Sequence, residues 1–279
     1  MPRCLLALAV ASLCMAADLR TDALQAIFPG MDVVATTRHR DDSSKDRWMA
    51  YPDALAGDPV YQVNGAAANE IERCASEDMG KETFSRSREV RMRTFPWPRV
   101  RADLLAVVQY RFIAANPAGA CWSIGLLVHL TRRGPRLAAI ERRLIAPHHH
   151  TMFAGLQLVD VTGDGVAELV VEPDSGGAGS RDSTLLVFDL SGRRFRQIVE
   201  TQSRLEYMTD DFYTQVLDVP RSVEQAGRAV CFELTQFVRA GKIYSKPQVS
   251  RECYPAGTGV DDREAESQNR QLRPLTLAP

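Results

Sequence analysis

The sequence carries no excess of charge of either sign. In 279 residues, 34 Lys and Arg stand against 35 Asp and Glu, a net charge of −1. Composition therefore gives no reason to expect nucleic-acid binding, which draws on surplus positive charge. Long apolar runs are also missing, since a membrane-spanning helix needs roughly 20 apolar residues and no stretch approaches that length. Aromatics make up only 7%, and lysine is confined to Lys45, Lys81, Lys242 and Lys246. None of Asn64, Asn69, Asn116 and Asn269 opens an Asn-x-Ser/Thr triplet, so the N-glycosylation signature of a eukaryotic ectodomain is absent. No C-x-x-C pair suggests zinc. No G-x-S-x-G elbow or Cys/His signature suggests a nucleophilic hydrolase. What remains is 45% apolar and 25% charged, an ordinary globular composition that excludes a disordered or collagen-like chain.

The N-terminus has three parts. Met1-Pro2-Arg3 is a short basic start, Cys4–Met15 is apolar, and Ala16-Ala17 precede the polar Asp18. This is the plan of a secretory signal peptide, with cleavage expected after Ala16. A lipoprotein would need a small residue before Cys14, and Leu13 stands there. The reading places the protein in the periplasm or outside the cell, without a transmembrane anchor. Cleavage would remove Cys4 and Cys14 and leave Cys74, Cys121, Cys231 and Cys253, an even number that suits two disulfides in an oxidising compartment. Proximity in sequence favours Cys74–Cys121 and Cys231–Cys253.

Beyond the signal, residues 17–83 read as a helical or irregular segment. A short helix is expected at 22–28, capped by Asp22 and Gln25 and stopped by Pro29-Gly30. A second is expected at 66–79, with Ala67, Ile71, Cys74 and Ala75 on one face. From residue 84 to 255 the pattern changes to strands: 88–95, 104–113, 121–131, 137–145, 152–160, 167–172, 184–190, 194–200, 212–219, 229–239 and 243–252. Turn signals such as Gly163-Asp164-Gly165 and Ser191-Gly192 separate them, with no intervening helices, so the sheet is expected to be antiparallel. The fold class is mainly β, antiparallel meanders as propeller-like blades or a sandwich, with a small N-terminal helical part. Residues 256–279 read as a disordered tail.

One loop carries a metal-binding pattern. Asp160, Thr162, Asp164, the Val166 carbonyl and Glu168 alternate as oxygen ligands for Ca²⁺, and Gly165 sits at the bend. Val171 stands where an EF-hand needs its bidentate Glu, and ELVVE continues as a strand. An Asp-Gly hairpin turn without metal is the plainer alternative. The stretch DVTGDGVAELVV resembles the FG-GAP/VCBS type of repeat, in which a loop between two strands of a propeller blade holds Ca²⁺. The resemblance covers about a dozen residues and implies a calcium-stabilised extracytoplasmic β protein. Thr162 stands where an acidic or amide ligand is usual, Glu168 stands where Asp is usual, and only one such loop occurs.

Other features suit bland roles. His148-His149-His150 lacks further ligands and reads as an exposed loop. Ser175–Ser180 is Gly-rich without the G-K-[S/T] of a phosphate loop and reads as a mobile loop with room for partner contacts. Arg86, Arg88, Arg91 and Arg93 read as a solvated strand face. Tyr207, Asp210, Asp211, Phe212 and Tyr213 read as the start of a strand packed on the core. The functional expectation is an extracytoplasmic, non-enzymatic binding protein with a protein partner in the cell envelope, of inhibitor, immunity or envelope-interaction type. The alternatives are a secreted carboxylate-dependent hydrolase and a structural calcium-stabilised adhesion module.

Overall fold

The computed structural model describes residues 19–36, 53–64, 85–114, 121–145, 151–177, 180–207, 212–216, 221–226, 229–240 and 243–255. The expected signal segment, the helix expected at 66–79 with Cys74, the histidines at 148–150 and the expected tail at 256–279 lie outside them. The described chain is mainly β. One short helix, α1, covers 19–27. No helix among the described residues is long and apolar enough to cross a membrane.

The first sheet is a six-stranded antiparallel meander in sequence order. It contains β1 (Asp32–Thr36), β2 (Val60–Asn64), β3 (Ser85–Pro96), β4 (Asp103–Ala114), β5 (Cys121–Arg133) and β6 (Arg136–Ile145). The expected division at residue 83 is corrected here: residues 17–83 are not only helical or irregular, since β1 and β2 join this sheet. Both are five-residue strands, too short for alternation to stand out in sequence. The helix also begins before Asp22, so that residue lies inside α1 and does not cap it.

The second sheet begins as another meander, β7 (Thr151–Val159), β8 (Glu168–Gly177), β9 (Ser180–Asp189), β10 (Arg196–Tyr207) and β11 (Phe212–Val216). It then reaches β13 (Ala229–Ala240). β11 and β12 (Arg221–Ala226) lie along one edge of β13, and β15 (Gln248–Pro255) lies along the other, because Gln236 pairs with both Val216 and Gln248. The two-residue strand β14 (Ile243–Tyr244) adds to β13 near its end. The Gly-rich stretch is strand where it is described: Gly176 and Gly177 are paired with Arg181 and Ser180, and 178–179 lie outside the described residues. β12, RSVEQA, has too few apolar residues to be read as a strand from sequence.

Alternation along β4 explains how the layers stack. Ala106, Val108 and Tyr110 point into a core with Ala23, Leu24 and Ile27 of α1 and Phe28 just after it. Leu105 and Val107 point the other way, into a core shared with Phe153, Leu169, Val171, Leu186 and Phe188 of the second sheet. The strand is buried on both faces, which accounts for its nearly unbroken apolar run. The structure is thus two sheets meeting over a common core, with α1 on the far face of the first. Arg142 closes the helix by donating to the carbonyls of Ala26 and Ile27 at 3.0 and 3.3 Å.

Candidate metal site

The loop 160–167 joins β7 to β8, and its first and last carboxylates are brought together by the pairing of Val159 with Glu168. Two glycines make the bend possible. Gly163 and Gly165 have φ of 78° and 82°, the left-handed region that side chains avoid. Asp160 organises the turn by accepting the Gly163 amide on Oδ1 at 2.6 Å and the Gly165 amide on Oδ2 at 2.9 Å. The Val166 amide donates to Asp164 Oδ1 at 2.8 Å. These are local side-chain-to-backbone bonds that fix the loop.

Asp160, Asp164 and Glu168 each present an oxygen within 4.8 Å of the other two. Asp160 and Asp164 are exposed, while Glu168 is 1% exposed. Thr162 is turned toward Glu168, its hydroxyl donating to Oε1 at 3.2 Å. The amides of Val161 and Thr162 donate to Oε2 at 2.8 and 3.2 Å. Burial pushes the Glu168 carboxyl above its ordinary range; those hydrogen bonds work against the shift, and the nearby Asp164 charge adds to it. The side chain of Val166 is buried.

No family model, no curated protein and no solved structure matches this chain. The reading of the loop therefore rests on its own geometry. Three converging hard oxygen donors on a preformed bend fit Ca²⁺. A bound ion would supply the positive charge that relieves repulsion among the three carboxylates.

Of the cysteines, Cys231 and Cys253 face each other across β13 and β15 and form a disulfide, with Cα atoms 4.0 Å apart. Cys121 pairs by its backbone with Ile113, and its expected partner Cys74 lies outside the described residues. Tyr207 and Phe212 are paired at the turn of β10 into β11, while Asp210 and Asp211 lie outside. Arg91 and Arg93 do not form a solvated face. They bind Asp53 at 2.7 Å and Asp58 at 2.8 Å, anchoring the turn that sends Leu55 into the shared core.

A buried polar network escaped the sequence reading. His129, fully buried, bonds through Nε2 to Asp103 Oδ2 and through Nδ1 to the Arg193 carbonyl, both at 2.9 Å. Thr131 donates to the other oxygen of Asp103 at 2.6 Å. Trp97 stacks on the imidazole with ring centroids 3.7 Å apart and donates to the Gly192 carbonyl at 2.9 Å. The only sequence signal was a histidine in an otherwise apolar strand. The network ties the first sheet to the turn between β9 and β10.

Proposed function

We propose that this is an extracytoplasmic, non-enzymatic binding protein of the cell envelope, stabilised by Ca²⁺ in the 160–168 loop. The observation that carries the reading is the convergence of Asp160, Asp164 and Glu168 on one preformed bend between two strands. In this reading Asp160, Asp164 and Glu168 hold the ion, with the Val166 carbonyl and Thr162 as further ligands. The Cys231–Cys253 disulfide accords with an oxidising compartment. Binding is favoured over hydrolysis by the use already made of the acids around the shared core. Asp53, Asp58, Asp103 and Asp189 are each committed to an arginine or a histidine.

The test is retention from envelope extract on the immobilised protein, with calcium and with EDTA. The expected result is reproducible capture of a defined component that weakens in EDTA. Turnover of a glycan or peptide panel by the same preparation would contradict the non-enzymatic reading.

A further inference from the structure

The near-zero net charge conceals an uneven distribution. β3 and β5 run toward the same end of the first sheet, so the turn between β3 and β4 and the hairpin between β5 and β6 emerge side by side. The turn between β9 and β10 joins them there, since Gly192 and Arg193 accept bonds from Trp97 and His129. All three turns carry exposed arginines and no exposed acid. Arg99 and Arg101 lie on the first, Arg132, Arg133 and Arg136 on the second, and Arg193 and Arg194 on the third. The neighbouring 160–167 loop contributes the acids Asp160 and Asp164 to the same end of the second sheet. Of the connections at the opposite ends of these strands, 115–120, 146–150, 178–179 and 208–211 contain neither arginine nor lysine, and 65–84, which leads into β3, holds Arg73 and Lys81 against five acids.

Two local rules are broken to keep arginine at this end. Arg99 follows Pro98 in a turn with φ of 64°, where glycine would sit without strain. Arg133 stands directly opposite Arg136 across its hairpin, a like-charge pairing that disfavours the strand contact. Departures of this kind mark positions held for function. We infer that this arginine-rich end docks the protein on an anionic lipid surface. The guanidinium fork matches lipid phosphates, and positive side chains beside an anionic bilayer each add to binding.

The chemistry favours lipid over the other polyanions. Trp97 and Phe195 at these turns are buried, so no aromatic there is free to stack on bases or to serve as the anchor of a protein interface. The exposed large apolar residues among those described are Val34, Ile140 and Val249, and none lies in these turns. Recognition by spread positive charge alone suits a surface of many headgroups. The inference rests on the envelope reading only for where protein and lipid meet, and it does not need the calcium loop.

Co-sedimentation of the protein with vesicles tests it. Phosphatidylcholine vesicles are compared with vesicles that also contain phosphatidylglycerol, in EDTA throughout. Binding to the anionic vesicles alone is expected, and raised salt should weaken it. The triple variant Arg99→Gln/Arg133→Gln/Arg194→Gln should lower partitioning roughly a hundredfold, at about fivefold per arginine. Arg99→Gly removes one charge while relaxing the backbone, so its fivefold loss cannot come from misfolding. Lys246→Gln, near the far end of β13, should leave binding unchanged. Equal binding to both vesicle types, binding to neither, or undiminished binding by the triple variant would overturn the inference. So would binding to heparin, DNA or an acidic peptide without binding to vesicles. Because EDTA is present, any of these results leaves the calcium reading standing, and loss of the calcium reading leaves this one standing.

Discussion

At the scale of single residues, two positions carry the sharpest expectations. Gly125 faces the shared core, where an added Cβ would meet the Ile145 carbonyl oxygen at 2.7 Å and Phe153 Cζ at 3.0 Å. Backbone oxygen cannot move aside as a flexible side chain can. Gly125→Ala is expected to destabilise by about 1–3 kcal/mol, the range for overpacking, as measured by urea denaturation. Glu168 gives a pH signature. Its folded pKa is raised above the unfolded value, so the metal-free fold binds its proton more tightly than the unfolded chain. That stabilisation is complete below the ordinary carboxylate range and is lost as pH rises through the raised value. In EDTA, the stability of the wild type minus that of Glu168→Gln should therefore fall with rising pH across this window. A flat difference would show that Glu168 does not titrate as its surroundings dictate.

At the scale of elements, β13 is the strand that most connections serve, with β11 and β12 on one edge and β14 and β15 on the other. The Cys231–Cys253 bond closes a sequence separation of 22 residues, so its removal should reduce stability by about 3 kcal/mol through greater freedom of the unfolded chain. Denaturation of the double variant Cys231→Ser/Cys253→Ser checks this, and an unchanged midpoint would contradict it. The staple was legible in sequence, because its cysteines lie close together in the chain on either side of a turn signal at Ala240-Gly241. So were β4 and β5, whose runs are long enough to fill two cores. β1, β2 and β12 were not legible: they are short or polar, and their place depends on partners far along the chain. The loop at 160–168 could be read as a donor set, but not the burial of Glu168 or the bonds it receives from Val161 and Thr162. Arg91 and Arg93 were misread because their partners, Asp53 and Asp58, lie more than thirty residues away.

At the scale of the whole molecule, three sets of polar contacts join the two sheets, one of them from β6, where Glu141 accepts the Phe195 amide at 3.1 Å and Arg143 donates to Gln197 at 2.7 Å. The turn at 53–58 binds β3 through its aspartates and donates from the Ala54 amide to the Phe153 carbonyl of β7 at 2.7 Å. The network of Trp97, His129, Asp103 and Thr131 reaches the turn at 190–195. His129→Ala would leave one oxygen of Asp103, 3% exposed, without its partner and open a cavity against Trp97, and is expected to destabilise by about 2–5 kcal/mol. Hydrogen exchange should report faster opening at 190–195 in this variant than at β1 and β2. Equal loosening everywhere would mean that the network does not join the sheets locally.

The central claim is that Asp160, Asp164 and Glu168 hold a calcium ion. Thermal melting of the protein with calcium and with EDTA, beside Asp164→Asn, tests it most directly. The account predicts a higher melting temperature in calcium that rises with its concentration, and a much smaller shift in Asp164→Asn. Identical melting temperatures in calcium and EDTA, or a calcium shift undiminished in Asp164→Asn, would contradict it.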